Sequence, residues 1–312
     1  MSIANHLSDK ALVTIYHYRL DFLQRLKKTR LYTGSYSLKI PNNINFMDKY
    51  DNSSDLCIIS TPVQFIRETL KRCNLSEDSD VLILSKGIER NTLSFPCEIV
   101  SDVANLSLDS IAILSGPNHA EQVVKNNPTS AVVASKNQQL SKKIQSLFSD
   151  ENFRVYCSDD IIGVQLGGAV KNVISIASGI AWGLGFRENT LSSILTRGLY
   201  EIKKLGDSLG ARKETLNGLA GLGDLMATSF SDDSRNRYVG IQIAKGNKID
   251  QVLKKLNMNA EGVETSRSLY KLKSKLNIDL PICDSVYEII FSNKDPLDTI
   301  GSLMTRKLKN EF

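Results

Sequence analysis

The sequence predicts an α/β domain with a parallel sheet over residues 1–158, followed by an all-helical domain over residues 159–312. The first half alternates short, β-rich apolar runs with helical stretches, which is the pattern of βαβ units. From Asp159 onward, apolar residues recur at spacings of three and four and no strand-like run remains. A length of 312 residues with 41% hydrophobic content provides two cores at ~100–200 residues per domain.

The expected strands are Leu12 to Tyr16, Leu56 to Ser60, Val81 to Ser85, Ile111 to Leu114, Ser130 to Ala134 and Phe153 to Tyr156. Helical patterns such as Pro62 to Arg72 and His119 to Lys125 lie between them. The run Met304 to Lys309 is expected to be a solvated helix end, because cations suit the negative end of the helix dipole. No internal repeat or low-complexity segment interrupts the chain.

Composition excludes several classes of function. A charged fraction of 23% and a net charge of +5 fit neither a disordered chain nor a strongly basic nucleic-acid binder. The clearly apolar runs, such as Val81 to Leu84, fall short of the ~20 residues of a membrane span, and no signal-peptide stretch opens the chain. A soluble cytoplasmic protein is therefore expected. The five cysteines are scattered without C-x-x-C spacing and only three histidines accompany them, so neither a disulfide framework nor a metal site is expected. His6, His17 and His119 sit in no nucleophile-type arrangement and are read as structural.

Residues Ile161 to Phe186 are apolar on nearly every face, and their only ionisable side chain before Arg187 is Lys171. An ammonium in such a helix is costly unless it is paired or required by function, although a lysine that snorkels to the surface would satisfy the same pattern. Gly167 and Gly168 share its helix face, and their missing side chains are expected to leave room for a substrate. Asp224 follows a glycine-rich turn as the only charged residue between Glu214 and Asp232. It reads locally as a helix N-cap, and pairing with Lys171 would give it a catalytic role.

The segment Ser229 to Arg237 reads as a capped helix start, with Ser234 or Asp233 as the cap. Arg235 and Arg237 then stand at the positive end of the dipole. An anionic ligand held by Arg235 and Asn236 would resolve that conflict, as would local neutralisation by Asp232 and Asp233. Lys86 lies just past an apolar strand, where open parallel sheets bind ligands, although any loop lysine would look the same. Asn118 and Glu121 have capping-box spacing at a helix start, where Gly116 and Asn118 could meet a phosphate. Trp182, the single tryptophan, is expected in the core.

Taken together and in order, KGIE, LSGPNHAE, QLGGAVKN, GLAGLGDL, SRNR and AEGVET make the chain resemble the NAD(P)-dependent glycerol-3-phosphate dehydrogenase family from about residue 2 onward. The resemblance implies a Rossmann-type dinucleotide-binding domain and a helical substrate domain. It implies interconversion of dihydroxyacetone phosphate and sn-glycerol 3-phosphate with NADP or NAD, feeding glycerophospholipid synthesis. Lys171 would be the proton donor and acceptor and Asp224 a substrate contact, while Lys86 and Arg235 would touch both substrate and cofactor. Gly116, Asn118, Ser234 and Asn236 would line the substrate; Ala120, Asn259 and Glu261 would line the cofactor, and Tyr18, at the end of the next strand, is a further cofactor candidate. Asn118 stands where the family usually has Ser or Thr, and Asn259 where a small apolar residue is common. With no nucleic-acid partner and no membrane span expected from composition, a small-molecule substrate and a possible homodimer are the expected partners.

One departure is large. A domain of this kind opens with a strand and a G-x-G-x-x-G turn, yet the first two glycines here are Gly34 and Gly87. The first residues read as the helix after that turn, so the gene product is expected to begin upstream of Met1, and the chain as written to be impaired in folding and cofactor binding. The next strand ends at Tyr18 and Arg19 without an acidic residue, which favours NADP. A non-catalytic remnant that binds a phosphorylated metabolite or a partner is the alternative reading, and a sister hydroxy-acid dehydrogenase is disfavoured by SRNR.

Overall fold

The computed structural model describes residues 1–256, 260–308, 310 and 311. The chain divides into two compact units, one formed by Met1–Thr61, Phe65–Ser85 and Cys97–Ile161, the other by Pro62–Gln64, Lys86–Pro96 and Ile162–Phe312.

The first unit begins with α1 (Ser2–Leu7), β1 (Thr14–Tyr16), α2 (Leu20–Thr29), β2 (Leu31–Thr33), β3 (Ser37–Lys39), β4 (Asn45–Met47) and β5 (Cys57–Ile59). It continues with α3 (Ile66–Cys73), β6 (Val81–Ile83), α4 (Pro96–Ala104), β7 (Ile111–Ser115), α5 (Ala120–Val123), β8 (Thr129–Ser135), α6 (Gln138–Phe148) and β9 (Phe153–Ser158). Each of the six expected runs overlaps a strand, and β7, β8 and β9 extend beyond the expected bounds. The order β5-β6-β7-β8-β9 forms one sheet, while β1 and β4 pair in parallel as a separate sheet. Every residue of β6 and β7 is buried, which is why both read as unbroken aliphatic runs.

Two features depart from the sequence reading. The sheet is not wholly parallel, because β7 pairs antiparallel with β8. The connection between them, residues 116–128, carries only the four-residue α5. In addition, β4 and the β2–β3 hairpin were not expected; each of these strands has only three residues, none of them buried, so periodicity carries no signal. In α6, by contrast, Leu140, Ile144 and Phe148 are buried at four-residue spacing, and Asn137 caps the helix by accepting from the N–H groups of Gln139 and Leu140.

The second unit is helical: α7 (Ile161–Gly183), α8 (Glu188–Leu209), α9 (Lys213–Asn217), α10 (Asp224–Phe230), α11 (Arg235–Ala244), α12 (Ile249–Leu256), α13 (Glu261–Leu276), α14 (Pro281–Phe291) and α15 (Pro296–Met304). Contrary to the expectation from apolar runs, α7 is long and apolar enough by length and composition to cross a membrane, yet 89% of its most apolar window is buried inside the protein. It forms the centre of the unit's core, with Val170, Val173 and Ile174 packed among Leu199, Ile202 and Leu225. Helix α15 ends at Met304, so the exposed residues 305–308 lie beyond the helix and do not form its end; Lys309 lies outside the described residues.

Helix α14 starts on Pro281, which has no N–H, and the next two backbone donors, Ile282 and Cys283, bond to the Glu201 carboxyl at 2.7 and 3.1 Å. Burial raises the Glu201 pKa to about 7 against these bonds, with Asp284 adding in the same direction. Because the folded value exceeds the unfolded one, the folded state binds the extra proton and its stability falls as pH rises from about 4.5 to about 7. We expect Glu201→Gln to gain about 2 kcal/mol on the parent between pH 5 and pH 8 in urea unfolding. A difference independent of pH would refute the assignment.

Candidate functional site

Lys171 sits mid-way along α7 and is 5% exposed. Its ammonium donates to Asp224 Oδ1 in a short contact and to Thr228 Oγ1 at 2.9 Å. Lys86 Nζ, arriving from the segment Lys86–Pro96, donates to the other carboxylate oxygen, Oδ2, at 2.8 Å. One fully buried carboxylate thus serves two ammoniums. Burial brings the Lys171 pKa down to about 8, with Asp224 opposing the shift and Lys86 reinforcing it. Burial alone would raise the Asp224 pKa, but Lys171 and then Lys86 outweigh it and hold the carboxyl below its ordinary value.

The turn that delivers Asp224 is unusual. Between α9 and α10, Leu219–Gly223 forms a π-helical turn, and Gly223 N–H bonds to Gly218 C=O, five residues back, at 3.1 Å. Asp224 is the first residue of α10, with Gly223 in the cap position, so the local N-cap reading gives way to pairing with Lys171. The expected open space at Gly167 is also corrected. A Cβ there would collide with the Ala220 carbonyl oxygen and stand 3.1 Å from Gly221 Cα, so backbone of the turn occupies that side of the helix.

Ser234 caps α11, accepting from Arg237 N–H at 3.2 Å. Asn236 is buried; its amide donates to Asn172 Oδ1 at 2.9 Å and its Oδ1 accepts from Gly262 N–H at 3.0 Å. Arg235 is exposed, whereas Arg237 is buried, bonded to Asp232 at 2.6 Å, with its guanidinium 5.0 Å from the centre of the Trp182 ring. The local neutralisation thus involves Arg237. Trp182 is half-buried between that guanidinium and that of Arg187, 4.5 Å from the ring, and is not a core residue. Glu261 opens α13; burial raises its pKa, against the pull of Arg235 and Lys86.

The remaining expected residues belong to the first unit. Gly116 follows β7 at φ +145°, where a Cβ would stand 2.9 Å from Ala131 Cα, so only glycine fits. Asn118 N–H bonds to Gly116 C=O at 2.8 Å, but the cap of α5 is His119, one residue later than the Asn118–Glu121 spacing predicts. Ala120 is the first residue of α5, and its carbonyl accepts from Ser2 Oγ at 3.3 Å. Tyr18 is 58% exposed, with the Arg72 guanidinium 5.1 Å from its ring centre, and Arg19 is paired with Asp21 at 2.9 Å. Asn259 lies outside the described residues.

Comparison with known proteins bears on this geometry. Residues 1–141 match the family described as NAD-dependent glycerol-3-phosphate dehydrogenase N-terminus, and residues 160–301 match the corresponding C-terminus. A glycerol-3-phosphate dehydrogenase [NAD(P)+] of Syntrophotalea carbinolica is 38% identical over 308 residues, covering 96% of this chain and 92% of the relative. The chain belongs to this family. Another glycerol-3-phosphate dehydrogenase [NAD(P)+], from Thermoanaerobacter sp., is 41% identical over 262 residues, covering 83% of this chain and 78% of its own length. The crystal structure of glycerol-3-phosphate dehydrogenase from Coxiella burnetii superposes with a TM-score of 0.91 at 29% identity, covering 98% of this chain and 95% of that one. The chain is thus an NAD(P)-dependent oxidoreductase of the glycerol-3-phosphate dehydrogenase family, with a small-molecule substrate.

Sequence reasoning missed two polar side chains in this part of the dehydrogenase, Thr228 and Asn172. Thr228 lies one helical turn after Asp224, so the i,i+4 rule could have placed both on one face toward Lys171. Asn172 is adjacent to Lys171 in sequence, but its partner Asn236 is 64 residues away and no local pattern announces it. The shared carboxylate gives a stability prediction. Asp224→Asn leaves two ammoniums facing a neutral amide and should cost ~3–5 kcal/mol in urea unfolding at pH 7. Lys171→Met keeps the Lys86–Asp224 pair and should cost less. The reverse order would show that the carboxylate does not anchor the cluster.

Proposed function

We propose that the chain interconverts dihydroxyacetone phosphate and sn-glycerol 3-phosphate, with Lys171 giving a proton to the carbonyl oxygen on reduction and taking it back on oxidation. The supporting observation is the buried ammonium held by Asp224 and Thr228 with a pKa of about 8. Reduction of a ketone by hydride builds negative charge on oxygen. A fixed ammonium in a dry site stabilises that charge and delivers the proton, and its near-neutral pKa lets it act in both directions. Asp224 keeps the ammonium in place, and Lys86 on the other carboxylate oxygen adds positive charge for the substrate.

The phosphate would be held by Arg235, an exposed residue at the start of α11, with Asn236 and the cap residue Ser234 beside it. Gly116 and Asn118 would contribute from the loop after β7. Nicotinamide cofactor, when bound, supplies or accepts the hydride. Charged groups suited to it are present at Lys86, Arg235 and Glu261, which are electrostatically coupled, and an exposed aromatic and cation follow β1 at Tyr18 and Arg19. Arg19 favours NADP over NAD, and Ala120 and Asn259 would complete the cofactor contacts. Residues 1–158 would form the cofactor domain and residues 159–312 the substrate domain. All five cysteines are free thiols, which suits the reducing cytoplasm, and a homodimer is the assembly we favour.

A non-catalytic member of the family that binds a phosphorylated metabolite or a partner is the second reading. Titrating purified protein with NADPH and NADH separates the two, since binding of neither sinks catalysis. If the reaction is as proposed, turnover of dihydroxyacetone phosphate greatly exceeds that of unphosphorylated dihydroxyacetone, and equal rates would refute the phosphate site. Lys171→Met should lower kcat by ~10²–10⁴-fold. Reduction should also be lost as pH rises through about 8, because only the protonated ammonium can donate.

A further inference from the structure

Asp224 reaches Lys171 only because of where the preceding turn lies, and two close backbone contacts fix that turn. A Cβ at Gly167, on α7, would collide with the Ala220 carbonyl oxygen. A Cβ at Gly221 would collide with the Leu216 carbonyl oxygen and stand 2.6 Å from Leu216 Cα. The turn between these contacts is the π-helical segment Leu219–Gly223, one residue wider than an α-turn. Gly167 is one turn before Lys171 on the same helix, so the contact that seats the turn and the ammonium that Asp224 meets share a single face of α7. Ala220 and Gly221 are fully buried there, leaving the turn no room to ride outward without reopening the core.

We infer that Gly167 is a positioning residue for the dehydrogenase reaction: it lets the Leu219–Gly223 backbone lie directly on α7 and so sets the Asp224 carboxylate on the Lys171 ammonium. No side chain can take the place of Gly167 at this contact, because the opposing atoms are backbone. With alanine there, the turn must lift off α7 and take with it the start of α10, where Asp224 is the first residue and Thr228 follows one turn later. Lys171 then loses its nearest anion while Lys86 stays close. The charged groups facing Lys171 are Asp224, Lys86 and Glu261, and of these only Asp224 is placed by the turn.

The inference rests on the role proposed for Lys171, but its test does not require turnover. Lysine labelled with ¹³C at Cε gives each ammonium a titration curve by NMR, and the Lys171 signal is assigned by its disappearance in Lys171→Met. In full-length Gly167→Ala, the Lys171 pKa should fall by about one unit or more, as expected when an opposite charge withdraws. Gly198→Ala provides the control: its Cβ meets the Ile174 side chain, also on α7, at 2.6 Å. It should lower Tm and leave the Lys171 titration unchanged. If Gly167→Ala does not accumulate as folded protein, Ala220→Gly removes only a methyl and loosens the same turn, and a smaller fall in the same direction is expected. An unchanged Lys171 titration in the folded variant, or an equal shift in Gly198→Ala, would overturn the inference. An inactive parent enzyme with a shifted titration in Gly167→Ala would sink the proposed reaction and leave the positioning role standing.

Discussion

The second unit is organised around one carboxylate shared by two ammoniums. Asp224 is fully buried, and removing a charge from water is repaid only if strong partners are fixed in place before it arrives. Lys171 is fixed by α7, which is apolar enough to be held by the core along nearly its whole length. Lys86 comes from a short segment that packs with the helices rather than with the sheet strand it follows. With two positive partners the carboxylate stays ionised, and the cluster keeps a net positive charge suited to a phosphorylated substrate.

Much of the first unit was legible because its core strands are buried on both faces. Val81–Ile83 and Ile111–Ser115 have no polar side to disguise them, apart from the terminal Ser115. Strand direction was not legible: β8 reads from its residues like any parallel strand, and its antiparallel pairing with β7 leaves no local mark in the sequence. The three-residue strands β2, β3 and β4 are too short for alternation to register at all.

In the helical unit, Lys171 stood out as a lone charge in an apolar helix, and its burial follows from that context. Asp224 was ambiguous because a helix-starting aspartate has a sufficient local explanation; only a partner 53 residues away decides between capping and pairing. Lys86 was weaker still, since its partner lies 138 residues further along the chain. Gly167 was read in the wrong sense. Absence of a side chain signals that something approaches closely, but sequence does not say whether that neighbour is a ligand or the protein's own backbone. The same limit applies to SRNR, where one arginine faces solvent and the other is buried under an indole.

That indole has a practical side. Trp182 is the only tryptophan in the chain, and it leans on Arg237, which shares the first turn of α11 with Arg235 and Asn236. Emission from this protein therefore originates from a single place, next to the basic turn. Any rearrangement of that turn changes the charge lying over the ring, so the chain carries its own optical sensor where an attached dye would have to displace a buried guanidinium.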